Sequence, residues 1–200
     1  MANGGVSRRD ILRSLAVGAT AGSVLTMIPA QAAEFAHELV QKEKATAAGK
    51  YVPKFFRPHQ YETLISLCDT IIPKDERSGG AVEAGAPEFI DLITSENEEY
   101  QTQLGGGLMW LDNHCVDEFG KVYMECTPEQ RKTTLDLIAY RKNGKAKPEL
   151  KQGIAFFSIL RNMTCDGFYT SKIGIADLQY IGKTSVHECP GCPPGPERQA

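Results

Sequence analysis

From Pro58 onward the chain carries its apolar residues in helical rhythm. Tyr61, Leu64, Ile65, Cys68, Ile71 and Ile72 recur at i, i+3, i+4 and i+7 spacing, the stripe an amphipathic helix buries. Pro58 suits the first turn of that helix and Pro73 stops it, because proline fits where an amide is unpaired anyway and cannot continue a helix interior. Lys74 to Ala86 is charged and holds Gly79, Gly80 and Gly85, a loop composition. Pro87 opens a second helix with Phe89, Ile90 and Ile93 inward. A third runs through Leu104, Leu108, Leu111, Cys115 and Phe119. Gly105-Gly106-Gly107 weakens it, since each glycine costs about 1 kcal/mol against alanine, so the triplet predicts either a close helix contact or a break. Thr127-Pro128-Glu129-Gln130 is a capping box with proline at the first helical position, followed by Leu135, Ile138 and Ala139. A last long helix is expected from Pro148 to about Tyr169, with Leu150, Ile154, Phe157, Leu160 and Met163 inward. No alternating β pattern and no hairpin dipeptide between apolar runs interrupts this series. The expected fold is all-α: a single compact helical domain of about five to six helices, followed by an irregular tail with Cys189, Pro190, Cys192, Pro193, Pro194 and Pro196.

The N-terminal part has a different pattern. Arg8-Arg9-Asp10-Ile11-Leu12-Arg13 precedes an apolar run from Leu15 to Ile28, and Ala30-Gln31-Ala32 follows. A basic start, a short apolar middle and a small-residue cleavage site make an export signal. The adjacent Arg8 and Arg9 mark it as a twin-arginine signal. The run is 14 residues, diluted by Gly18, Ala19, Thr20, Gly22 and Ser23, short of the roughly 20 apolar residues a spanning helix needs. The twin-arginine route carries folded cargo, so the chain is expected either to hold a cofactor or to travel with a partner that does. The expected organisation is a signal over 1–32, a polar arm over 33–54 draped on a partner or on the domain, a helical domain over 55–183, and the tail over 184–200. The expected location is the periplasm.

Cleavage after Ala32 leaves 200 − 32 = 168 residues, enough for one domain with a core. It removes Arg8, Arg9, Arg13 and Asp10, a net +2, and moves the formal charge from −3 to −5. That acidity argues against nucleic acid, which calls for a clustered basic face. The six cysteines are Cys68, Cys115, Cys126, Cys165, Cys189 and Cys192; an oxidising exterior permits bridges among them. Cys68, Cys115 and Cys165 sit among apolar helical neighbours, as small buried hydrophobes or one structural bridge.

Cys189-Pro190-Gly191-Cys192 lacks the histidine that haem attachment requires, because Pro193 follows it. It has the spacing of a thiol redox centre without the helix N-terminus that lowers a thiolate pKa. With His187 it offers three metal ligands, and a closed zinc site needs a fourth, from Cys126 or elsewhere. A short disulfide, Cys189 to Cys192 or to other partners, is the favoured reading. Asp112, Asn113, His114 and Cys115 are consecutive on a helix and point apart, so they make no site. Arg161, among Phe157, Ile159, Leu160 and Met163, pairs with an acid such as Asp91, Asp112 or Asp166, or serves as an interface arginine. Phe168, Tyr169 and Tyr180 join it as candidate partner-interface residues. No phosphate-binding loop, zinc-protease motif or nucleophile elbow is present, and no residue is assigned to catalysis, cofactor or metal.

Five segments in order resemble the gluconate 2-dehydrogenase subunit 3 family: Leu64 to Pro73, Glu83 to Asp91, Gly107 to Asp112, Phe156 to Ser171, and Tyr180-Ile181-Gly182. Lys183 stands where the family pattern has asparagine. The resemblance implies a small non-catalytic subunit that accompanies a large FAD-dependent sugar or polyol dehydrogenase of the glucose–methanol–choline type. It further implies a cytochrome c subunit with haem c in some complexes. FAD then belongs to the partner, and this chain supplies the signal to the twin-arginine machinery and helps the large subunit fold. The alternative is an exported thiol-redox or metal-binding protein that uses Cys189 and Cys192.

Overall fold

In a computed structural model, residues 30–46 and 50–180 are described. They form eight α-helices and two 3-10 turns with no strand among them, so the all-α expectation holds. The helices are α1 (Ala30–Thr46), α2 (Pro58–Ile71), α3 (Ala86–Ser95), α4 (Glu98–Phe119), α5 (Pro128–Ala139), α6 (Asn143–Ala146), α7 (Lys151–Tyr169) and α8 (Lys172–Asp177). Residues 1–29 of the signal and the Cys189–Cys192 tail lie outside the described residues.

α7 is the axis of the bundle. It packs against α2, α3, α4, α5 and α8. α3 is nearly all interior: Ala86, Pro87, Phe89, Ile90, Asp91, Leu92, Ile93 and Thr94 are buried. Only Glu88 and Ser95 of its ten residues are half-buried, so the neighbouring helices cover most of its surface.

The helix boundaries follow local chemistry. α2 ends at Ile71, two residues before Pro73. Asn97 caps α4 by accepting from the amides of Glu99 (2.9 Å) and Tyr100 (3.1 Å), and Gly120 closes it at φ 71°. A left-handed φ after the last turn is where glycine has no Cβ penalty. The capping box at α5 is formed both ways: the Gln130 amide donates to Thr127 Oγ1 at 3.3 Å, and the Thr127 amide to Gln130 Oε1 at 2.9 Å.

The glycine triplet is a contact and not a break. α4 runs straight through it. A Cβ on Gly107 would lie 2.1 Å from Cδ2 of Phe156, and one on Gly153 would lie 2.2 Å from the Trp110 ring. α4 and α7 thus each give up a side chain so that the other's aromatic can fill the gap. This widens the inward face of α7: Phe156, which the sequence expectation did not include, is buried at 2 % exposure, and Phe157 is half-buried against the core. Leu150, Ile154, Leu160 and Met163 are inward as expected.

The polar arm lies on the domain, one of the two placements expected for it, and it does so as a helix. Most of it is α1, folded onto the domain against α3. Ala33, Ala36, Leu39 and Val40 are buried. Alanine is the best helix former, and its single methyl lets α1 approach α3 closely, so a segment that reads as polar still has a packed face.

Candidate partner interface

Residues 50–57 cross from α1 to α2 and are pinned by one buried carboxylate. Asp91, in the middle of α3 and fully buried, accepts four hydrogen bonds. Its Oδ2 takes the Tyr51 hydroxyl (2.9 Å) and the Lys54 amide (2.7 Å). Its Oδ1 takes the amides of Phe55 (3.2 Å) and Phe56 (3.0 Å). A buried charge is tolerated when its lone pairs are filled in this way. Burial, with the Asp91 charge beside it, pushes the Tyr51 phenol far above its ordinary value. Lys54 also pairs with Glu43 on α1, so the crossing segment ties α1 and α3 together.

A second clasp closes α2 onto α4. His59 Nε2 is 2.8 Å from Asp112 Oδ2, and Asp112 Oδ1 accepts the Tyr123 amide at 3.1 Å. Both carboxylate oxygens are engaged in holding three elements, and the exposed imidazole sits over them. Trp110 and His114, one turn apart on α4, stack at 5.0 Å with 7° between planes. Sequence reasoning found neither clasp: Asp91 binds residues 35 to 40 positions away, and His59 and Asp112 are 53 apart.

The four described cysteines are free thiols. Cys68, Cys115 and Cys126 are buried and Cys165 is half-buried, all four unbridged. Cys68 lies 3.6 Å from Thr164 Oγ1, and Cys115 lies 3.9 Å from Thr134 Oγ1. Burial pushes both thiols up to about 12, so the nucleophilic thiolate is scarce at neutral pH. Cys189 and Cys192 lie outside the described residues, as do Arg8 and Arg9. Among the described residues no three His, Cys, Asp or Glu side chains converge on a metal position, and no helix is long and apolar enough to cross a membrane.

What the fold leaves open is surface. A shallow, open groove of about 530 Å³ runs beside α2, with Glu62, Asp69 and Glu83 around Ile65 and Met124. At the far end of α7, on α8 and just after it, large apolar side chains face outward: Tyr169 is 44 % exposed, Ile175 39 %, and Leu178 and Tyr180 57 % each. Arg161 is also exposed on α7, eight residues before Tyr169. Two of the acids considered for it, Asp91 and Asp112, are committed elsewhere. Phe168 does not belong to this surface. It is buried at 2 %, and its ring meets Tyr169 edge-on at 5.0 Å and 80°, so it supports the exposed tyrosine from beneath.

A family model described as gluconate 2-dehydrogenase subunit 3 matches residues 58–184. The chain belongs to that family. The match begins at the first residue of α2 and takes in α2 to α8; α1 and the Asp91-bound crossing segment precede it. No curated protein and no solved structure matches the chain. The family is named for a numbered subunit of a dehydrogenase, which fits a bundle whose polar clusters fasten helices together.

Proposed function

We propose that this chain is the non-catalytic small subunit of a periplasmic FAD-dependent sugar or polyol dehydrogenase of the glucose–methanol–choline type. It carries the twin-arginine signal for the complex and helps the catalytic subunit fold and assemble. The FAD resides in the partner, and in complexes with a third subunit a cytochrome c takes the electrons. The observation that carries the reading is membership of a dehydrogenase-subunit family behind Arg8-Arg9 and its apolar run. The outward Tyr169, Ile175, Leu178 and Tyr180, with Arg161, supply a surface of the kind that association favours. Chemistry in this reading is the partner's; this chain contributes an address and a contact.

The signal is tested by replacing Arg8 and Arg9 with lysine in a strain that expresses both subunits. The reading predicts that dehydrogenase activity and flavin stay in the cytoplasmic fraction. Normal periplasmic activity in that strain would contradict it.

A further inference from the structure

The bond that a signal peptidase would cut lies inside a packed helix. Ala30-Gln31-Ala32 is the small-residue pattern such an enzyme reads, with the scissile bond between Ala32 and Ala33. That bond belongs to the first turns of α1 (Ala30–Thr46). Ala32 is 8 % exposed and Ala33 is fully buried. A protease cleft takes its substrate as an extended strand whose backbone groups bond to the enzyme. In a helix those groups point along the axis to one another.

Helix ends fray easily, so the question is how far the unwinding must go. Extending the chain on both sides of the Ala32–Ala33 bond pulls Ala33 from the core and opens the turn that carries Ala36, also fully buried. The next turns are fastened at long range. The His37 ring stacks on Phe89 at 5.0 Å and 21°, and His37 Nε2 is 3.1 Å from Thr170 Oγ1 at the end of α7. Leu39 and Val40 are buried, and Lys44 Nζ is 2.6 Å from Glu88 of α3. Fraying of a free end is therefore replaced by undocking of a held one.

We infer that the fold protects the Ala32–Ala33 bond, and that the folded chain keeps residues 1–32 after export. This rests on the export reading above, because a route that carries folded cargo delivers the bond already shielded. The exported subunit then retains its formal charge of −3 and still carries the apolar run Leu15 to Ile28 in its sequence.

Purified full-length chain is incubated with a bacterial signal peptidase in detergent micelles, and intact mass follows cleavage from 21.9 kDa. Two full-length variants loosen α1: Ala36→Asp puts a charge in its packed face, and His37→Ala removes the ring stack and the Thr170 contact. Protease attack on a closed segment tracks the open fraction when reclosing is fast. Wild type should be cut at least about 30-fold more slowly than Ala36→Asp, with His37→Ala between them and a new N-terminus at Ala33 in both variants. His37→Ala keeps the test valid if Ala36→Asp unfolds the whole domain. Equal cutting of wild type and both variants, or no cutting of any of them, overturns the inference. Cell fractionation addresses the export reading separately: wild-type chain confined to the cytoplasm refutes export and leaves the peptidase result standing.

Discussion

Asp91 is the residue whose removal should cost the domain most per atom. Changing it to alanine leaves the amides of Lys54, Phe55 and Phe56 without their acceptor. The Phe56 contact is buried, the other two are partly so. An orphaned buried donor costs about 1–3 kcal/mol. Discounting the amides that water can reach gives about 3–5 kcal/mol for Asp91→Ala, a large part of the roughly 5–15 kcal/mol that holds a domain folded. Asparagine separates hydrogen bonding from size. Its carbonyl oxygen can replace Oδ1 for Phe55 and Phe56, and its NH₂ can donate to the Tyr51 oxygen, but that NH₂ opposes the Lys54 amide. One lost bond predicts about 1–3 kcal/mol. For a domain of this size 1 kcal/mol moves Tm by about 2–4 °C, so the expected losses are about 6–20 °C for alanine and 2–12 °C for asparagine. Circular dichroism melts give the order. Amide exchange at Phe55 and Phe56 locates the damage, accelerating in the alanine variant and little changed in asparagine. If Asp91→Ala melts within a degree of wild type with those amides still protected, the carboxylate does not hold the crossing segment and the reasoning fails.

Two further expectations concern the surface and α1. Replacing exposed Tyr169 and Tyr180 together by serine should leave Tm within about 3 °C of wild type, since surface changes usually stay within about 0.5 kcal/mol, while recovery of the flavoprotein partner in a pull-down falls at least about tenfold, a loss of about 1.4 kcal/mol; undiminished recovery would move the interface elsewhere. Burial holds the His37 imidazole below its ordinary 6.5, against the opposing pull of the Gly167 backbone and Glu88. The unfolded chain then takes up the proton first as pH falls, so stability is complete above pH 6.5 and declines below it. Tm should drop between pH 7.5 and pH 5 by more in wild type than in His37→Gln. Asp75, Glu83 and Glu129, exposed carboxyls held below 3.8 to 4.5, do not titrate in that window; an equal drop in both proteins would contradict the assignment.

Local signals in the sequence were good guides to helices that announce their own ends. Pro58 and Pro73 bracket α2, and the Thr127–Gln130 box starts α5. The apolar face of α7 was drawn without Phe156, because the rhythm alone does not say that Gly107 on another helix makes room for it. α1 escaped notice because its packed face is mostly alanine, which periodicity counts weigh lightly although Ala33 and Ala36 are fully buried. Among the candidate interface residues, Tyr169 and Tyr180 are outward, whereas Phe168 faces inward one position along the same helix. The Asp91 and Asp112 clasps could not be read at all. Each joins residues dozens of positions apart, and an acid at helical spacing looks the same whether it meets water or four donors.

Co-purification is the most direct test of the central claim, that this chain works by attachment to a flavoprotein. The chain should be tagged at its C-terminus, expressed with the large dehydrogenase subunit of its own genome, and isolated from the periplasmic and membrane fractions. The account predicts one complex with a flavin absorbance spectrum and sugar or polyol oxidation, and a colourless, inactive chain when the large subunit is omitted. A tagged chain that binds flavin or turns over substrate alone, or that never recovers the large subunit, would contradict it.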